Sequence, residues 1–190
     1  MQPRLLIVTG LPCSGKTTLA RRLAARFGYP LLEKDVVKEA LFATLGSADR
    51  DWSRKLSTAS FGVLLAFAER AVAAGGCAIV EGNFRPEHAA RFELMRSGHG
   101  ARLVQILCGG DGAALIERFE ARVRRGVRHP GHVDAAALAE LRPELSRGFA
   151  EPLALESLKL RFDSTASAAA PRLDALFRAI DDDRRVAGLR

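Results

Sequence analysis

The 190-residue chain is poor in cysteine and in aromatic side chains. Its three cysteines, Cys13, Cys77 and Cys108, are scattered and form no CxxC pair, which excludes a disulfide framework and a structural zinc site. They are expected to serve as reduced, small apolar residues. Aromatics make up 6% of the chain, with one tryptophan and one tyrosine, and they do not alternate with basic residues. The chain therefore lacks the stacking platform on which single-stranded bases are usually held. No run of about 18 consecutive apolar residues occurs, and the apolar start Leu5–Val8 is too short for the core of a secretory signal. A cytoplasmic location without a membrane partner is expected. Repeats and Gly/Ser linkers are missing too, so residues 1–190 are expected to form one domain. A domain of this size buries about 70% of the surface that its unfolded chain exposes. The guanine-reading Asn-Lys-x-Asp tetrad is also absent, which disfavours a GTPase switch, and no apolar strand ends in Asp-Glu as motor ATPases require.

What is present is a net charge of +7, which favours anionic partners, and an alternation of short apolar runs with longer helical segments. The alternation predicts an α/β fold with a parallel sheet covered on both faces. Strands are expected at Leu5–Thr9, Pro30–Glu33, Cys77–Glu81, Arg102–Cys108 and Lys159–Asp163. Helices are expected near Lys16–Phe27, Val36–Leu45, Arg54–Ala74, Glu87–Ser97, Gly112–Arg125, Ala135–Arg147 and Ala168–Ile180. Asp111, Asp134 and Ser167 stand at N-cap positions, and Gly28, Gly75 and Gly98 where helices stop. The charged tail DDDRRVAGLR is expected to fray.

The segment GLPCSGKTT carries the chemistry. Gly10, Gly15, Lys16 and Thr17 satisfy G-x-x-x-x-G-K-[ST] between a predicted strand and a predicted helix. Glycines let the loop Pro12-Cys13-Ser14 wrap phosphate oxygens, and its amides and the helix N-terminus point at the anion. Lys16 reaches the β- and γ-phosphates, the Thr17 hydroxyl ligates Mg²⁺, and Thr18 adds a second hydroxyl.

Three further segments indicate a kinase. Asp35 in LLEKDVVKEALF follows the second strand, at the carboxyl end of the sheet where ligands of doubly wound folds bind. There it acts either as the base for an attacking hydroxyl, with Lys38 placing an anionic acceptor, or as a helix N-cap with Lys38 solvated. Glu81 ends the third strand and can hold a Mg²⁺-bound water or orient Thr17; Asn83 and Arg85 in the following turn can touch the acceptor. The span ERFEARVRRGVRHPGHVD places Arg118, Arg122 and Arg125 on one helical face ahead of a loop with Arg128, His129 and His132. It is either a solvated basic face or a lid, at about residues 115–140, that supplies arginine to a transferring phosphoryl group while its loop binds acceptor or nucleotide. His129 and His132 have no neighbouring third ligand and make a weak zinc pair.

Taken together, GLPCSGKTT, EKDVVKEALF, AIVEGNF, RFEARVRRG and LRFDST resemble the small P-loop kinases of the AAA_33 type. These include polynucleotide 5′-hydroxyl kinases, chloramphenicol phosphotransferase, zeta toxins, and gluconate- and shikimate-kinase-like enzymes. The resemblance implies a three-layer parallel sheet in the order 2-3-1-4-5, Mg-ATP as donor, Asp35 as base and lid arginines at Arg118, Arg122 and Arg125. It also implies an adenine site near Asp163, Ser164 and Thr165. The expected function is ATP-dependent phosphorylation of a hydroxyl on a small molecule. A polynucleotide acceptor ranks second, because those kinases carry arginine where this chain has Lys38. An ATP-binding regulatory or toxin-antitoxin partner is the alternative of another class. The sequence assigns neither the acceptor nor the oligomeric state.

Overall fold

The computed structural model describes residues 2–126, 129–132, 134–167 and 169–188. Five parallel strands, β1 (Arg4–Gly10), β2 (Leu31–Glu33), β3 (Cys77–Glu81), β4 (Arg102–Gly109) and β5 (Leu158–Asp163), form one sheet in the order β2-β3-β1-β4-β5. Helices α1 (Lys16–Phe27), α2 (Lys34–Leu45), α3 (Arg50–Ala73), α4 (Ala89–His99), α5 (Gly112–Arg125), α6 (Asp134–Leu145) and α7 (Ala169–Gly188) cover it.

Alternation along the strands assigns side chains to layers. Leu5 and Ile7 of β1 point into a core with Leu64, Ala68 and Val72 of α3 and with Phe92 and Met95 of α4. Leu6 and Val8 point the other way, onto Leu19 and Leu23 of α1 and Leu176 and Ile180 of α7. Each such fully buried side chain contributes roughly 1.5–3 kcal/mol. Helix α3 has a mean hydropathy of 1.3 over 18 residues, enough by length and composition to cross a membrane. Here its apolar face packs on the central strands.

Register brings the functional ends together. Val8 is opposite Glu81, Glu33 opposite Glu81, Gly10 opposite Cys108 and Gly109 opposite Asp163, so all of these lie along one edge of the sheet. Above that edge α5 and α6 share a small core of their own, with Leu115, Phe119, Leu138, Leu141 and Leu145 packed against Leu11 and Cys13 of the loop.

Several boundaries differ from expectation. Helix α2 starts at Lys34 with Glu33 as its N-cap, which places Asp35 inside the first turn and removes its capping role. Helix α3 starts at Arg50 because Asp49 accepts a hydrogen bond from the Trp52 amide at 2.8 Å. Residues 86–88 form a separate 3₁₀ turn before α4, and α4 runs past Gly98 to His99, stopping where Gly100 takes a left-handed conformation. The tail does not fray at Ile180. Helix α7 continues to Gly188, because Asp183 is buried between Arg4 and Arg102 at the opposite edge of the sheet.

Candidate active site

The phosphate loop bridges β1 and α1. Gly15 stands at φ 78°, a left-handed conformation that costs glycine nothing. At Gly10 a Cβ would lie 2.1 Å from the Cys108 carbonyl oxygen, so only glycine lets the loop leave the strand there. Cys13 is held at φ 61°, a strained conformation for a side-chain-bearing residue, and its side chain packs beneath the lid. The Ser14 hydroxyl is buried without a hydrogen-bond partner among the described residues. A narrow loop with an orphaned hydroxyl and no room for a Cβ at Gly10 fits a bound phosphate chain.

Lys16 folds back to donate to the Leu11 carbonyl at 3.2 Å, and its ammonium lies 4.0 Å from Glu81. Thr17 donates its hydroxyl to the other Glu81 oxygen at 3.2 Å, whereas Thr18 is exposed. Burial raises the Glu81 carboxyl above its usual range, and Lys16 and the Thr17 hydrogen bond offset this only in part. Behind the loop, burial pushes the Cys108 thiol up to about 12, so it stays protonated and donates to the Ser14 carbonyl. Among the described residues no three His, Cys, Asp or Glu side chains cluster as a metal cage. A Mg²⁺ shared with nucleotide phosphates would need no such cage, and Thr17 and Glu81 are the hydroxyl and carboxylate that could hold one from the protein side.

A cavity of about 580 Å³ opens beside the loop. Its wall includes Lys16 and Glu81 on the loop side, Asp35 and Lys38 from α2, and Asn83 and Arg85 after β3. Arg122 of α5 also reaches it, with its guanidinium 4.5 Å from the Phe119 ring centre. Lys38 is buried, donates to the Ser53 hydroxyl at 2.8 Å and lies 5.2 Å from the Phe42 ring centre. Arg85 pairs with Glu144 of α6 at 3.5 Å, linking the turn after β3 to the lid.

Arg118 is on the other side of the loop, where it donates to the Ser164 hydroxyl at 3.0 Å and the Ser164 carbonyl at 3.1 Å. Ser164 also lies close to Gly15. Thr165 is fixed by Asp163, which accepts from its amide and hydroxyl, and the Thr165 hydroxyl in turn accepts from the Asp111 amide. Burial opposes ionisation of Asp163, but these hydrogen bonds outweigh it and hold the carboxyl below its ordinary range. The α5 base and the loop after β5 are thus tied together next to the phosphate loop.

Other expectations are not met. Arg125 is exposed in the last turn of α5 and, like Arg118, does not line the cavity, so of the three arginines on that face Arg122 alone is on its wall. His129 stacks on Phe42 with ring centres 4.9 Å apart and accepts from the Gly131 amide; it packs the lid loop and does not face the cavity. His132 does line the cavity, 3.0 Å from Glu39. Arg128 lies outside the described residues. Trp52 donates its indole N–H to the Gly46 carbonyl and stays out of the cavity.

Further residues line the cavity. Lys34, buried, donates to Asp35 at 3.2 Å. Arg50, Ser53, Arg54, Ser57 and Thr58 of α3 and Glu140 of α6 complete the wall. The α3 set follows i, i+3, i+4, i+7, i+8 spacing, a polar stripe legible in the sequence once α3 is started at Arg50.

A five-stranded parallel sheet in this order, with a phosphate loop at its centre and a helical lid over the strand ends, is the P-loop kinase fold. The chain belongs to the AAA_33 family of AAA domains, whose model matches residues 5–147. Among solved structures it is similar to a provisionally assigned kinase of Chloroflexus aurantiacus at 35% identity, over 96% of this chain and 98% of that one, with a TM-score of 0.83. It shares its fold with a sugar kinase of Janibacter sp. HTCC2649 at 17% identity, over 94% and 95% of the chains, TM-score 0.59. The same holds for Chaetomium thermophilum Kti12, solved with ADP-AlF3, at 23% identity over 93% and 98%, TM-score 0.59. No curated protein matches the chain.

Proposed function

We propose that the protein is an ATP-dependent phosphotransferase acting on a hydroxyl group of a small molecule. The observation that carries this reading is that Lys16, Glu81 and Asp35 open onto one cavity, with donor and acceptor sides about 580 Å³ in all. Lys16 and the loop amides hold the donor phosphates. Thr17 and Glu81 would hold Mg²⁺, whose contribution when bound is to neutralise charge on the phosphate oxygens. On donor binding, Lys16 exchanges the Leu11 carbonyl for phosphate oxygens. Asp35 accepts the proton of the attacking hydroxyl, and the neighbouring Lys34, which donates to it at 3.2 Å, orients its carboxylate. Arg122 approaches the transferring group from the lid, while Arg118, Ser164 and Thr165 flank the nucleotide base. The basic, aromatic-poor lining of the cavity and the single tryptophan placed outside it favour a small acceptor over stacked bases.

The test is labelled-ATP transfer to nucleosides, sugars, hydroxy acids, antibiotics and 5′-hydroxyl DNA and RNA, run on wild type and Asp35→Asn. The substitution is expected to lower kcat about 10²–10⁴-fold and to leave ATP affinity within a few-fold. Unchanged turnover in Asp35→Asn removes that carboxylate from the mechanism.

A further inference from the structure

The cavity wall away from the phosphate loop is more basic than transfer to a neutral alcohol requires. Seven Lys and Arg side chains line the cavity against four Asp and Glu. Lys16 and Arg122 belong to the donor side, Lys34 is bonded to Asp35, and Lys38 to Ser53. Arg50 and Arg54 stand one helical turn apart on the cavity-facing stripe of α3, and what they bind is a carboxylate. Arg50 donates to one oxygen of Glu140 at 2.6 Å and Arg54 to the other at 3.4 Å, while the second Nη of Arg54 donates to Asp51 of its own helix at 3.1 Å. Glu140 comes from α6, the lid side, and is half exposed. The Nε–H of Arg50 is buried and has no hydrogen-bond partner among the described residues. Glu140 therefore uses only part of the fork geometry that arginine offers to a carboxylate or phosphate, so an anion that replaces it can be gripped more completely.

We propose that the acceptor carries a carboxylate or phosphate group in addition to its reacting hydroxyl, that Arg50 and Arg54 bind this group, and that Glu140 stands in for it in the ligand-free protein. The proposal rests on the reading of the chain as a phosphotransferase. An incoming anion takes over the arginine fork, and Glu140 returns to water at little cost because it is already half exposed. The exchange couples acceptor binding to the seating of α6, so the group that recognises the acceptor also registers its arrival at the lid.

Binding is followed by isothermal titration calorimetry, because Trp52, the single tryptophan, stays out of the cavity. The full chain is titrated in saturating ADP, which fills the phosphate loop. The probes are D-glycerate and D-gluconate as carboxylates, glycerol 3-phosphate and D-glucose 6-phosphate as phosphates, and glycerol and D-glucose as uncharged controls. At least one anion is expected to bind about ten-fold or more tightly than its uncharged counterpart. The arm that binds distinguishes a carboxylate from a phosphate acceptor. Arg50→Gln and Arg54→Gln are each expected to weaken that anion about ten-fold, and Glu140→Gln to strengthen it several-fold by removing the internal competitor. Arg54 is more than half exposed, so Arg54→Gln remains informative if Arg50→Gln does not fold. The proposal is overturned by anions and controls binding alike, by no anion binding while ADP binds normally, by indifference to both arginine substitutions, or by weaker anion binding in Glu140→Gln. Binding of a 5′-hydroxyl oligonucleotide in place of every small anion overturns it as well. Failure of ADP itself to bind counts against the phosphotransferase reading and is recognised separately.

Discussion

Asp183→Ala tests the anchoring of the last helix and can be worked through from the structure. Asp183 pairs with Arg4 at 3.2 Å, with the two side chains only 6% and 4% exposed, and with Arg102 at 2.5 Å, which is 40% exposed. Arg4 also donates to the Ile180 carbonyl at 2.9 Å. Removing the carboxylate leaves the Arg4 charge buried with one neutral partner, whereas Arg102 can turn into water. Breaking a buried ion pair by deleting one member costs about 3–5 kcal/mol. The retained Ile180 bond places this case near the lower end, at about 3 kcal/mol. For a chain of this size each kcal/mol moves the melting temperature by about 2–4 °C, so a drop of about 6–12 °C is expected. Urea unfolding should show the same loss as a lower midpoint at unchanged slope. Nucleotide affinity should not change, because Arg4 and Arg102 begin their strands and the phosphate loop lies at the opposite edge. The double substitution Arg4→Met with Asp183→Leu should recover most of the stability, since it removes the buried charge along with its partner. A loss below about 1 kcal/mol in Asp183→Ala would refute the argument and return the end of α7 to a frayed tail.

Two further outcomes are expected. Glu81 has its carboxyl raised by burial, so its proton is bound more tightly in the folded state than in the unfolded chain. The stability this confers is present below the ordinary glutamate range and is lost as pH rises through the raised value. Glu81→Gln should therefore unfold later than wild type at pH 8 in the absence of nucleotide, with the advantage shrinking as pH falls toward 4.5, and should bind Mg-ATP more weakly; thermal melts from pH 5 to 8 with and without Mg-ATP check both, and an advantage that does not change with pH sinks the argument. Arg118→Ala should weaken ATP binding about ten-fold by releasing Ser164 from the α5 base, with little change in melting temperature because Arg118 is exposed; calorimetric titration with ATP measures it, and unaltered affinity removes the Arg118–Ser164 contact from the nucleotide site.

Much of the donor half is a local object and was legible in the chain. A strand, a glycine-rich turn and a helix N-terminus are contiguous, so GLPCSGKTT specifies its own geometry, and the alternation of short apolar runs with helices leads to the sheet order once the family resemblance is added. Boundaries were less legible, because they depend on caps and partners distant in sequence. Asp49 starts α3 four residues earlier than apolar periodicity suggests, and Asp183 extends α7 by giving a charged tail two buried or half-buried arginines to hold.

The cavity beside the loop, the proposed acceptor side, was decided by tertiary structure. Arginines spaced three and four apart share a helical face, and that is all that spacing determines. The packing of α5 on α6 sends Arg118 to Ser164, Arg122 into the cavity and Arg125 into solvent. RHPGH presents two histidines as equals, and the fit of the turn against Phe42 turns His129 aside and leaves His132 on the wall. Arg50, Arg54 and Glu140 meet only because α3 and α6 face each other across the cavity, about ninety positions apart in sequence. A phosphate is gripped by backbone amides, whose direction follows from local turns. An acceptor is gripped by side chains, whose direction follows from which helices pack together, and that is settled only when the whole core closes.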